Sequence, residues 1–197
     1  MFAAVTSVAL VGIDPCPVRV EVHVGGNKPL FHLVGLPDTA IREAKERVRA
    51  AVLSSGYRFP SRALTVNLAP AEIPKAGSAY DLPIALGVLA ASGMVPPSVT
   101  AVVALGELAL DGAVRPARGG LGAGIVAAGA GRPCLLPPGS AAEAALVPSA
   151  EVRVVRSLAE AVAVALGEVG PVAPPAPLPT ADGRWAALGV VPGKDRA

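Results

Sequence analysis

Between Pro17 and Val24 the chain alternates strictly, with Val18, Val20, Val22 and Val24 on one side and Arg19, Glu21 and His23 on the other. A period of two puts successive side chains on opposite faces of a strand, so this stretch predicts a half-buried strand of an antiparallel sheet. The β-rich run from Phe2 to Val11 predicts its neighbour, and Gly25-Gly26-Asn27 a turn into a further strand over Phe31 to Val34. After the loop Gly35-Leu36-Pro37-Asp38 the period changes. Ile41, Ala44, Val48, Ala51 and Val52 recur at helical spacing, which predicts a helix capped by Asp38 or Thr39, running to about Ser55 and stopped by Gly56. Glu43 and Arg47 stand four apart on it, the spacing of a helical ion pair.

The stretch from Thr65 to Leu89, TVNLAPAEIPKAGSAYDLPIALGVL, divides into three. Thr65 to Leu68 reads as a strand. Pro70 to Ser78, with its prolines, is irregular, and Asp81 to Ala91 reads as a buried helix with Asp81 as N-cap ahead of Pro83. A strand feeding a polar loop into a helix start presents unpaired N–H groups and the positive end of a dipole, so the loop is a candidate grip for an anion or seat for a nucleophile. Beyond it, Val99 to Leu105 predicts an apolar strand, and Asp111-Gly112 a two-residue primed hairpin turn. Gly119 to Gly131 predicts a helix, Pro133 to Leu136 a strand, Ser140 to Leu146 a short helix and Glu151 to Val155 a strand. A last helix over Ser157 to Leu166 has Ser157 as its cap and Glu160 at the capping-box position. This alternation predicts an α/β (α+β) fold, a mixed sheet covered by helices.

Composition narrows the class. With 52% hydrophobic and 16% charged residues the chain can bury a core, and with 3% aromatics that core is built from Val, Ala, Leu and Ile. The net charge of +2 gives no global drive towards nucleic acid or membrane. The cations are nevertheless unevenly placed: Arg42, Lys45, Arg47, Arg49, Arg58 and Arg62 lie between Ile41 and Arg62, against Glu43 and Glu46 alone. Arg42, Lys45 and Arg49 share one helix face, either as a solvated surface or as a patch for an anionic partner. No interleaved aromatics or recognition motif accompany them, so sequence-specific DNA reading is unsupported.

Cys16 and Cys134 lack CxxC spacing and read as lone thiols, and His23 and His32 stand without an acidic or thiol cluster, so no metal site is expected. The apolar opening Met1 to Ile13 lacks the basic start and cleavage site of a leader, and Gly93, Pro96 and Pro97 interrupt the uncharged run Leu82 to Gly106. The expectation is a cytoplasmic chain without a membrane segment.

Three long motifs in order, GLPDTAIREAKERVRAAVLSSG (Gly35 to Gly56), TVNLAPAEIPKAGSAYDLPIALG (Thr65 to Gly87) and LGELALDGAVRPARG (Leu105 to Gly119), resemble the N-terminal domain of the ComM/YifB family of magnesium-chelatase-like AAA+ ATPases. The likeness runs from about Phe2 to Gly167. It implies a ribosomal-protein-S5-like fold (domain 2 type), shared with the proteolytic domain of Lon and the C-terminal domain of RadA. Lon-type proteases use a Ser–Lys dyad. On that pattern Ala79 falls at the nucleophile, beside Ser78, and Gly124 at the lysine, so the resemblance implies the fold without the peptidase unless Lys75 and Ser78 pair.

The nearest approach to a P-loop, Gly189 to Asp195, is one residue short and carries Asp195 where a hydroxyl belongs, so no nucleotide cofactor is expected. The expected organisation is one domain over residues 1–168 and a Pro-rich, disordered tail over 169–197, including Trp185, with the ATPase absent; the chain is either a truncated family member or a stand-alone domain. Relatives are associated with DNA processing, branch migration in recombination and natural transformation. The resemblance therefore implies a ring-forming or otherwise oligomeric accessory domain. Its contacts to DNA would be sequence-independent, with Arg42, Lys45, Arg49, Arg58 and Arg62 as candidates. The alternative is an assembly module without DNA, in which Lys75, Ser78, Asp81, Glu107, Asp111, Arg115 and Arg118 are contact candidates, satisfied by one another or by a partner.

Overall fold

The alternating stretch forms the long strand that the pattern predicts. In the computed structural model, which describes residues 1–175, β1 (Phe2–Val11) and β2 (Asp14–Gly25) pair antiparallel from Phe2 opposite His23 to Val11 opposite Asp14. Val18, Val20, Val22 and Val24 are buried, while Arg19 and His23 face water. Each such burial contributes about 1.5–3 kcal/mol, so a one-residue slip that turned this row to solvent would forfeit most of the local stability.

The other elements follow as β3 (Phe31–Val34), α1 (Thr39–Arg42), α2 (Ala44–Ser54), β4 (Ala63–Ala69), α3 (Asp81–Ala91), β5 (Val103–Ala104), β6 (Glu107–Leu108) and β7 (Val114–Arg115). α4 (Gly120–Ala130), β8 (Cys134–Leu136), α5 (Pro138–Ala144), β9 (Val152–Val154) and α6 (Leu158–Leu166) complete the described chain. Seven strands form one sheet in the order β3-β4-β2-β1-β5-β8-β9, and β6 with β7 forms a separate hairpin. β2 is antiparallel to both β1 and β4, whereas the β3–β4, β1–β5, β5–β8 and β8–β9 pairs are parallel, so the sheet is mixed and mostly parallel. α3 packs on β1 and β2 between the sheet and the helices α2 and α6, and all eleven of its residues are buried. A Cβ on Gly87 would stand 2.7 Å from Val22 Cγ2, so a glycine there sets how closely α3 approaches β2. On the opposite face α4 and α5 pack together and cover β8, with α4 reaching β5 and one end of β1 and β2.

Five expectations change. The helix predicted from Asp38 to Ser55 breaks at Glu43 into α1 and α2, with Asp38 as the cap: its Oδ1 accepts from the Ile41 N–H at 2.9 Å. The strand expected over Val99 to Leu105 is only β5, because Pro97–Thr100 turns as a 3-10 helix first. The helix expected from Ser140 begins at Pro138, where a proline in the first turn sacrifices no hydrogen bond. The hairpin turn contains three residues, Leu110 to Gly112, closed by Gly112 N–H to Ala109 O at 3.0 Å and Ala109 N–H to Ala113 O at 2.9 Å. Gly112 takes the left-handed φ of +89°, and Asp111 Oδ1 accepts from the Ala113 N–H at 3.0 Å, so the chemistry of Asp-Gly is used in a longer loop. Finally, part of the expected tail joins the sheet: Val172 bridges Val154 antiparallel at the β9 edge. The rest of that expectation, with Trp185 and the Gly189 to Asp195 stretch, lies outside the described residues. Among the described residues no helix is long and apolar enough to cross a membrane.

Two outcomes check this packing. Gly87→Val drives a branched side chain into Val22 and lowers stability by about 2–3 kcal/mol, read as a reduced denaturation midpoint; an unchanged midpoint would mean that α3 can move off the sheet. Cys134 is fully buried and burial pushes its thiol up to about 12. Since the thiolate is the reacting form, a thiol reagent at pH 8 modifies the half-buried Cys16 in the native protein and Cys134 only after unfolding.

Candidate functional site

The loop that leaves β4 is held by the loop that precedes α1. Pro37 bridges Lys75, and the Asp38 N–H donates to Lys75 O at 3.2 Å. Asp38 binds both segments, because its second carboxylate oxygen accepts from the Gly77 N–H at 2.8 Å while the first caps α1. Leu36 at the apex has φ of +54°, unusual for a branched side chain, and is largely exposed. The sequence marked Asp38 as a helix cap but carried no sign of its bond to a residue 39 positions away.

Asp81 is corrected from N-cap to first residue of α3, following the 3-10 turn Ser78–Tyr80. Its carboxylate points away from the helix start. It accepts from Arg47 Nε at 2.6 Å, Arg47 Nη2 at 3.0 Å and the Leu108 N–H at 3.2 Å. Arg47 Nη2 also donates to Ala40 O at 2.8 Å, and Glu43, the partner expected from spacing, stands farther off at 3.7 Å. A fork of donors meeting a carboxylate at short range is the strongest geometry available to such a pair. Burial pushes the Asp81 carboxyl up against the pull of Arg47, and the bond to Asp81 holds the Arg47 guanidinium above its usual value.

Its neighbours are likewise engaged within the chain. Lys75 is 1% exposed and donates to Pro70 O, and loss of solvent lowers its pKa while Glu72 opposes the shift. Ser78 Oγ donates to Glu107, whose other oxygen stands 3.8 Å from Arg115 Nη1. Lys75 and Ser78 therefore have separate partners, and the geometry forms no Ser–Lys pair: Ser78 meets the Glu107 carboxylate and Lys75 a backbone carbonyl. Ala79 and Tyr80 line a cavity of about 160 Å³ with Val8, Leu10 and Arg118. Burial raises the Tyr80 hydroxyl far above its ordinary value.

The position matched to a lysine, Gly124, is also corrected: a Cβ on it would stand 2.9 Å from Ala144 O, so it faces the α5 backbone and not Ala79. It is Gly122, whose Cβ would meet Leu10 and Val8, that faces the wall of the cavity. The mismatch arises because α4 uses its glycines on two sides, and a linear motif cannot say which glycine looks where. Among the described residues no group of three His, Cys, Asp or Glu side chains is placed to hold a metal ion.

The basic residues of α1, α2 and the following loop form an outward surface. Arg42, Lys45, Arg49, Arg58 and Arg62 are all exposed. Arg49 lies over the Phe59 ring with its guanidinium carbon 5.4 Å from the ring centre, Lys45 stands 3.8 Å from Glu46, and Arg62 donates to Gly26 O at 3.4 Å. Apart from the outlying Lys45–Glu46 contact, no carboxylate ties these five within the described residues. Arg47, the remaining member of the run, turns inward to Asp81.

Comparison with known proteins now places the chain. Residues 20–140 match the family described as subunit ChlI of Mg-chelatase. The chain is 43% identical over 146 residues to a protein of Salmonella typhimurium named uncharacterized protein YifB, an overlap covering 74% of this chain and 29% of that protein. An uncharacterised protein of Mycobacterium tuberculosis is 44% identical over 156 residues, 78% of this chain and 31% of its own length. Competence protein ComM of Haemophilus influenzae is 41% identical over 146 residues, 74% and 29% of the two chains. The chain thus spans about a third or less of the length of these relatives.

The buried ion pair generates the prediction here. Arg47→Ala leaves the Asp81 carboxylate buried with only the Leu108 N–H, at a cost of about 3–5 kcal/mol near neutral pH. Its folded pKa then lies further above the unfolded value, so the folded state binds more protons, and stability falls as pH rises from about 4 through the folded pKa. Denaturant titrations of the variant are expected to give a smaller deficit against wild type at pH 5 than at pH 8. An equal deficit at both would mean that Asp81 finds another partner.

Proposed function

The chain belongs to the family of subunit ChlI of Mg-chelatase and corresponds to the N-terminal part of YifB and ComM, and from that premise we propose that it is a non-catalytic domain that contacts nucleic acid through phosphates. One observation carries the reading. Lys75, Asp81 and Glu107 of the loop cluster are taken up by partners inside the chain, whereas Arg42, Lys45, Arg49, Arg58 and Arg62 stay on the surface with at most one distant carboxylate among them. Clustered cations without base-reading geometry suit counterion release along a phosphate backbone, which is independent of sequence. The name competence protein borne by one relative accords with a role in DNA processing, and we extend that role to this chain. No acyl-transfer step is assigned: Ala79 has no nucleophilic atom, and Ser78 donates to a carboxylate that is already shared with Arg115.

A second reading is favoured by a separate feature. Leu10, Ile13, Leu121 and Ile125 are exposed around Gly122, where Leu10 Cδ2 would stand 3.1 Å from an added Cβ. A grouped apolar surface of this kind marks protein contacts, so self-association belongs to the proposal as its assembly arm.

Two measurements follow. Binding to a labelled duplex, followed against salt, is expected to weaken at least tenfold in an Arg42→Ala/Lys45→Ala/Arg49→Ala variant, with a salt slope shallower by about two to three. Failure of the wild type to bind at low salt, or an unchanged slope, sinks the nucleic-acid role. For the assembly arm, light scattering is expected to show oligomers that Ile13→Asp/Leu121→Asp returns to monomer, and a monomeric wild type removes that arm.

A further inference from the structure

The helices cover the two faces of the sheet unequally. α3 lies across β1 and β2 on one face; on the other, α4 reaches only the end of β1 and β2 where Gly122 meets Leu10 and Pro15. The register brings four residues into a row across the open part of that second face: Phe2 opposite His23, His23 opposite Thr65, and Thr65 opposite His32. Phe2 is 58% exposed and both histidines are exposed. With strands about 4.8 Å apart, the row sets three flat rings across some 14 Å of surface.

Four residues along the strands, about 13 Å from the row, Thr6 pairs with Arg19 beside a cleft of about 950 Å³ between the sheet and the end of α4. Arg132 enters it from the α4 side. Its Nη1 stands 3.4 Å from Thr6 Oγ1, and it has no carboxylate within ion-pair reach among the described residues. Arg19 shares Glu21 at 2.9 Å but its side chain remains 60% exposed, and Glu21 also accepts from Asn67 at 3.0 Å. The C-terminal end of α4 carries partial negative charge, yet the Gly131 and Arg132 N–H groups already bond Ala128 O and Ala127 O, and the Arg132 guanidinium offsets the rest. At the opposite end of the face, Arg62 bonds Gly26 at the exit of β2, so the basic loop after α2 continues onto the ring row.

We propose that this open sheet face binds single-stranded nucleic acid, with unpaired bases stacked on Phe2, His23 and His32 and the backbone running to the cleft between Arg19 and Arg132. The inference rests on the nucleic-acid reading above and adds to it a second surface and a preference for single strands. Bases in a duplex hide their faces in their own stack, so exposed rings gain nothing from it. A single strand offers both a π-face and a phosphate per nucleotide, which this face can take without reading sequence. A free phosphate would leave the rings unused. An acidic peptide would engage the arginines and equally leave the rings idle.

The test uses the whole 197-residue chain and fluorescence anisotropy with labelled oligo(dT) and a mixed-sequence duplex. Phe2→Ala/His23→Ala/His32→Ala, all at exposed positions, is expected to weaken oligo(dT) binding about tenfold or more while duplex affinity stays within about twofold. Arg132→Ala is expected to lower the oligo(dT) salt slope by about 0.7. Native circular dichroism and an unchanged melting midpoint establish that both variants fold. Wild-type affinity for oligo(dT) in the triple ring variant, with the Arg42/Lys45/Arg49 variant still weakened, overturns this inference and leaves the helix reading standing. Absence of all binding by the wild type overturns both. Displacement of oligo(dT) by inorganic phosphate or poly-glutamate at equal charge concentration overturns the strand assignment in favour of a small-anion or acidic-peptide site.

Discussion

Around the Asp81 carboxylate three separate parts of the chain meet: α2 through Arg47, the start of α3 through Asp81 itself, and the β6 hairpin through the Leu108 N–H. A carboxylate removed from water is costly unless it is both paired and hydrogen-bonded, and here it receives two guanidinium bonds and one amide bond. That requirement fixes more than local geometry. It draws Arg47 out of the basic run and holds the broken helix α1–α2 against α3, since the same guanidinium also bonds Ala40 O in α1. It also seats the strand that delivers Glu107 to Ser78. The polar loop between β4 and α3 is shaped from both ends by carboxylates, Asp38 at its Gly77 and Asp81 at its exit.

This arrangement separates the charged residues into two populations with different physical fates. Inward cations, Arg47 and Lys75, spend their donors on a carboxylate and on backbone carbonyls. The outward cations of the basic run, apart from one long bond from Arg62 to Gly26 O, keep theirs for water or a partner. Charges of the second kind interact through high dielectric and are worth little to stability, which leaves them free for a polyanion. Small residues do the corresponding work in packing: Gly87 lets α3 lie close on β2, and Gly124 lets α4 lie close on α5. α4 is thereby drawn to one side of the sheet, and the area over β3, β4 and half of β2 stays open.

Much of the architecture was legible from residue pattern. The valine alternation, the five-residue stripe Ile41, Ala44, Val48, Ala51 and Val52, and the Ser157 cap accepting from the Glu160 N–H all stand as the sequence indicated, and the family was legible in three long motifs. The misses share a cause. Asp81, placed at a helix start, looked like a cap because caps are local, yet its partner lies 34 residues away. Gly124 looked like the match for a lysine because motifs are linear, yet the direction of its missing Cβ depends on how α4 is rotated. The Asp111-Gly112 pair predicted a turn correctly and its length incorrectly, since three residues ending in a left-handed glycine satisfy the same strands.

By itself the sequence determined which apolar faces of the strands and helices are buried, where most elements lie and that the cations gather between Ile41 and Arg62, because periodicity and composition act over one or two turns of chain; it did not mark the side chains of Lys75 or Asp81 as buried. Only the tertiary structure decided which cation turns inward, which glycine faces which helix, and that Phe2, His23 and His32 share a row beside the Arg19–Arg132 cleft. Those facts depend on strand order and register between segments far apart in the chain, and a long-range pairing leaves no mark on the local pattern of either partner.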